Sequence, residues 1–95
     1  MKTTLNEQQT EAFNIIKNHT EKYNQESLAK IVGNENAEKI IEMINNDDRY
    51  ILDINKYFWA MATWASDGNV ENVRQYADKY EEAWSKMISE NNGTN

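Results

Sequence analysis

The chain has no cysteine, no proline and only three glycines in 95 residues. Without cysteine there are no disulfides, no thiolate zinc ligands and no cysteine nucleophile, so the fold must rest on packing and hydrogen bonds. Average usage would place about five prolines in a chain of this length. Their absence, with so little glycine, favours long unbroken helices over the turn-rich architecture of a sandwich or barrel. No apolar run approaches the roughly 18 residues of a membrane span, and Met1-Lys2-Thr3-Thr4-Leu5-Asn6-Glu7 lacks the apolar segment of a secretory leader. The expectation is therefore a soluble, cytoplasmic protein without membrane contact. Sixteen acids against ten bases give a formal charge of −6. Because the bases are not segregated, a phosphate backbone would be repelled, and direct nucleic-acid binding is disfavoured.

Ten aromatic side chains stand out against a hydrophobic fraction of 39% and a mean hydropathy of −0.93. Each ring removes a large area from water, so a small core is within reach. Length and the lack of any linker point to a single helical domain over residues 1–95, with 1–4 and 89–95 expected to fray. Fourteen asparagines suit an AT-rich coding sequence, such as that of a low-GC bacterium, a phage or another mobile element.

Periodicity divides the chain into helices. Leu5, Ala12, Phe13, Ile16, His19 and Tyr23 recur at helical intervals, and Thr4 or Asn6 can cap a first helix ending near Tyr23 or Asn24. A short second helix is predicted from Gln25 to Val32, with Gly33 as its C-cap. Asn34 or Asn36 can cap a third, whose Ala37, Ile40, Ile41 and Ile44 oppose Glu35, Glu38 and Glu42. From Arg49 to Ser66 apolar residues cover nearly the whole helix circumference, which predicts a central helix, although residues 49–54 are also β-prone. After Ser66-Asp67-Gly68-Asn69, the residues Val70, Val73, Ala77, Tyr80, Trp84 and Met87 give the strongest helical spacing in the chain. The fold class read from this pattern is all-α. It is a compact bundle of four to five helices with a long C-terminal antiparallel hairpin against which the first three helices pack.

Chemistry is read mainly by elimination. The one histidine, His19, lies on the apolar side of the first helix without a paired nucleophile. No Glu-x-x-His pair, EF-hand loop or glycine-rich phosphate loop is present. No catalytic residue, metal ligand or cofactor is assigned, and the chain reads as a non-enzyme. Gln25 to Ile44 resembles the opening of a helix-turn-helix in Ala29 and Gly33. The second half departs from that pattern at Asn34 and Lys39, and Glu35, Glu38 and Glu42 would meet phosphates. The order of Tyr57, Trp64, Gly68, Val73, Ala77 and Tyr80 is faintly similar to a tetratricopeptide hairpin, but one copy cannot form that repeat's stacked core.

The remaining signals are acidic and aromatic. Asp67, Glu71, Asp78 and Glu82 recur at helical spacing with Gln75 among them, and span roughly 22 Å at about 1.5 Å per residue. Trp59 lies about 100° from Phe58 and outside the Ile51, Ile54, Phe58 and Ala62 stripe, which marks it as the surplus aromatic. These five residues, Trp59, Asp67, Glu71, Asp78 and Glu82, form the expected partner-binding set. The preferred expectation is a small acidic inhibitor or regulatory adaptor that engages the basic surface of another protein. The alternatives are a helix-turn-helix-like DNA-binding regulator and a structural homo-oligomer, such as a homodimer, whose last helices pair through Val73, Tyr80, Trp84 and Met87.

Overall fold

The computed structural model describes residues 4–48 and 51–91. Among these the chain forms five helices: α1 (Glu7–Thr20), α2 (Gln25–Val32), α3 (Asn34–Asn45), α4 (Asp53–Ser66) and α5 (Val70–Glu90). There is no strand among the described residues, and the architecture is an all-α bundle.

Asparagine starts three of the helices. The Asn6 side chain accepts the Gln9 N–H at 2.7 Å, and the Gln9 side chain accepts the Asn6 N–H at 3.0 Å, a reciprocal capping box. Asn24 and Asn69 cap α2 and α5 by accepting the amides of Ser27 and Asn72. Two expected boundaries move. The first helix ends at Thr20, leaving Tyr23 in the connection, and α5 continues through Ser89 and Glu90. The expected asparagine cap on α3 is also corrected. Gly33, at φ +93°, serves as both C-cap of α2 and N-cap of α3, and Asn36 instead donates its amide back to the Val32 carbonyl at 3.1 Å.

Before α4 the sequence left helix and strand open for 49–54. Ile51 and Leu52 are in neither; they form bends, while Arg49 and Tyr50 lie outside the described residues. Asp47 supplies the reason. Its Oδ2 accepts the Leu52 N–H at 3.2 Å and the Asn55 side-chain amide at 3.0 Å, and Asn55 also donates to the Ile44 carbonyl at 2.9 Å. These bonds stop the α3–α4 connection short and let α4 begin at Asp53.

At the other end of α4, the Gly68 N–H bonds to the Ala65 carbonyl at 2.9 Å and the Asn69 N–H to the Trp64 carbonyl at 3.0 Å. This is a Schellman stop. It needs a left-handed residue, which Gly68 provides at φ +72°, and a Cβ there would meet Gln8 at 3.4 Å. The resulting α4–α5 hairpin is the most extensive pairing in the molecule, and α1 packs against both of its helices.

Two expectations about packing are corrected. The third helix does not lie on the hairpin: α3 rests chiefly on α2, and α2 in turn touches α5. The bundle measures 47 × 26 × 23 Å, with a radius of gyration of 14.6 Å, and is longer in one direction than in the other two. The central helix is α5 rather than α4, because α5 packs against α1, α2 and α4, whereas α4 packs chiefly against α5 and α1. Aromatic surplus misled the sequence reading, since Tyr57, Phe58 and Trp64 are only half-buried.

The core joins Ala12 and Ile16 of α1, Leu28 and Val32 of α2, Ala37 and Ile40 of α3, Ile54, Met61 and Ala65 of α4, and Val73, Ala77, Tyr80 and Trp84 of α5. Alanines at or near complete burial on four of the five helices permit close backbone approach. Met61 is fully buried, whereas Ile51 is 72% exposed. Met61→Ala should therefore lower the unfolding free energy by about 2–5 kcal/mol in urea titrations, and Ile51→Ala should leave it within about 0.5 kcal/mol.

Candidate interaction surface

The long terminal helix has two chemically opposite sides. Val73, Ala77, Tyr80 and Trp84 are buried. Glu71, Gln75, Asp78 and Glu82 are all exposed and fall within an arc of about 60°, roughly opposite the buried four, at 100° per residue. Asp67 is exposed at the C-cap of α4, four positions before Glu71. Glu71, Asp78 and Glu82 make no ion pair among the described residues. Glu11 of α1 pairs across to Arg74 of α5 at 3.1 Å and Glu81 of α5 to Lys22 at 3.2 Å, while Asp53 pairs within α4 with Lys56 at 3.7 Å. Lys79 and Lys86 flank the row on the α4 side, where Glu82, Asp53 and Tyr57 share a shallow groove with them.

Trp59 belongs to a different face. Tyr57 points toward α5, its ring 6.2 Å from that of Tyr76, and Trp59 is two residues on, about 200° round the helix. Its ring is 38% exposed and meets Phe58 edge-on at 5.8 Å. The structure thus brings Glu71, Asp78 and Glu82 together, sets Asp67 at the adjoining turn, and does not bring Trp59 to them.

The stripe named for homodimer pairing is occupied within the chain. Val73, Tyr80 and Trp84 are buried and Met87 is half-buried against the same core.

One cluster escaped the sequence reading. Glu81 of α5 receives His19 Nε2 at 3.1 Å, Lys22 Nζ at 3.2 Å and the Tyr23 hydroxyl at 3.4 Å. Beside it, Tyr23 stacks on Trp84 with centroids 4.7 Å apart and planes 2° from parallel, and Tyr80 meets both rings edge-on. The available signal was Tyr23, the last member of the first apolar series; nothing local announces its pairing with Glu81. Trp84 Nε1 is buried with no acceptor in hydrogen-bonding geometry. Burial pushes the Tyr80 hydroxyl above its ordinary range, partly opposed by the nearby indole of Trp84 and reinforced by Glu81.

Compared with known proteins, the chain matches no family model, no curated protein and no solved structure. Groups of three or more His, Asp or Glu side chains placed to hold a metal ion are absent among the described residues. No described helix is long and apolar enough to cross a membrane.

Burial, then the charge and hydrogen bond of Glu81, push the Tyr23 phenol from 10.0 to about 12. A group raised in the folded state stabilises fully below its unfolded value and loses that contribution as pH rises through the folded one. Between about pH 10 and 12, stability should therefore fall more steeply in the native protein than in Tyr23→Phe. Thermal melts across that window, with phenolate absorbance followed in parallel, check this.

Proposed function

We propose that this chain is a non-enzymatic interaction module, an inhibitor or regulatory adaptor, which engages a basic surface of another protein through the outer face of α5. The observation that carries the reading is the alignment of the acids: Glu71, Asp78 and Glu82 stand exposed in one row on α5 and are in no ion pair among the described residues, whereas the adjacent Glu81 is taken up by Lys22. Like charges held on one helix face cost a few tenths of a kcal/mol per pair. A basic partner would relieve that repulsion and be steered toward the row during encounter.

Glu71, Asp78 and Glu82 are exposed, Glu82 at the rim of the groove between α5 and α4, so a partner can reach the row without displacing a helix. Its flanking Lys79 and Lys86 would set the register of a partner bearing both signs. Asp67 extends the row past the turn. Trp59, on the far side of α4, forms a separate contact only if the partner wraps the hairpin, so the electrostatic reading is assigned to α5 alone. The acidic outer side of α3, with exposed Glu35, Glu38 and Glu42, favours a protein partner over DNA for the same reason of sign.

The test begins with affinity capture from an extract of the native host and continues with the retained protein in purified form. Asp78→Lys combined with Glu82→Lys should weaken binding at least tenfold at 0.1 M salt, where the screening length is about 10 Å, and by much less at 1 M, where it is about 3 Å. Trp59→Ala should leave that salt dependence unaltered. Equal losses from the charge reversal at both salts would remove the electrostatic contact from consideration.

A further inference from the structure

The cluster at Glu81 contains a constraint on protons. His19 Nδ1 lies 2.7 Å from the Ile15 carbonyl oxygen, and its Nε2 lies 3.1 Å from Glu81 Oε2. Both oxygens are acceptors and neither can donate, so each ring nitrogen must carry a hydrogen for both contacts to be bonds. A neutral ring has only one N–H. It would satisfy either Ile15 or Glu81 and turn a lone pair toward the other.

We infer that a proton on His19 operates a clamp between the end of α1 and α5, and through it sets how firmly the α2–α3 hairpin is held. The titratable and charged groups around the imidazole are Glu81 and Tyr80 from α5 and Lys22 and Tyr23 from the connection after α1. With the second proton present, Glu81 takes three donors, all from His19 and the residues that follow α1. That connection, Glu21–Asn24, is the root of α2, and α3 is carried mainly by α2. Loss of the proton leaves one N–H for two acceptors, so the ring either releases Glu81 or keeps it at the expense of the Ile15 carbonyl, and the charge that α1 itself offered to Glu81 is gone. Lys22 alone then supplies the positive charge, from a side chain 57% exposed, where ion pairs hold little. The ring pair Tyr23–Trp84 remains, so the hairpin stays docked but less firmly.

The sign follows from which form has partners. The doubly protonated ring is the one with two bonds, so the clamp is closed while the ring holds its second proton and loosens when that proton is lost. This device is independent of any partner at the α5 outer face.

Melting of the native protein, His19→Gln, Glu81→Gln and the double variant at pH 5.5 and 8.5 tests the clamp. The advantage of the native protein over His19→Gln should be at least about 4 °C greater at pH 5.5 than at pH 8.5, a shift readily resolved for a domain of this size. The coupling between the two substitutions should be larger at pH 5.5 than at pH 8.5. Long-range proton–nitrogen NMR on the native protein should find hydrogens on both ring nitrogens at pH 5.5. An advantage that does not change with pH, or a bare ring nitrogen at pH 5.5, overturns the clamp. Hydrogen-exchange protection factors over residues 21–28 should fall several-fold between pH 5.5 and 8.5 in the native protein and not in His19→Gln. Unchanged protection, with the melting difference intact, would overturn the link to the hairpin.

Discussion

Nearly everything in this molecule is arranged around the buried side of α5. Three helices compete for that one side: α4 along its length, α1 beside it and α2 near its C-terminal half. Small residues help make this possible, because Ala77 on α5 and Ala12 and Ala65 on its neighbours are all at or near complete burial. Tyr80 and Trp84 fill the wider end, where Tyr23 closes the gap. Once that side is taken up by the chain's own helices, the opposite side is left for solvent and for whatever binds there. The acidic row is the complement of the core on the same helix.

Local signals in the sequence carried the elements well. The Gln25–Val32 helix, the capping role of Asn6 and the stop at Gly68 each follow from short-range chemistry that any neighbouring structure would leave intact. The three-four spacing of Val73, Ala77, Tyr80 and Trp84 likewise reported the buried side of α5 correctly. Periodicity identifies which side of a helix is apolar, however, and says nothing of which partner covers it. For that reason the central position went to α4, with its surplus of rings, and α3 was expected on the hairpin when its apolar stripe is covered chiefly by α2.

Residues 49–54 show a second limit. Valine-like and aromatic composition there suited helix or strand equally, and the outcome at Ile51 and Leu52 was decided by Asp47 and Asn55, two polar side chains outside or at the edge of the ambiguous stretch. The acidic row was legible because it lies on one helix. The His19–Glu81 contact was not, because it joins residues far apart in the chain whose types are ordinary at either position. Asparagine content also had more meaning than base composition: Asn6, Asn24 and Asn69 start helices, and Asn36 and Asn55 close connections.

The junction at Gly33 has a mechanical consequence. A single residue both ends α2 and begins α3, and the Asn36 amide ties the new helix back to the last carbonyl of the old one. Such an elbow has almost no slack, so α2 and α3 swing together as one rigid lever.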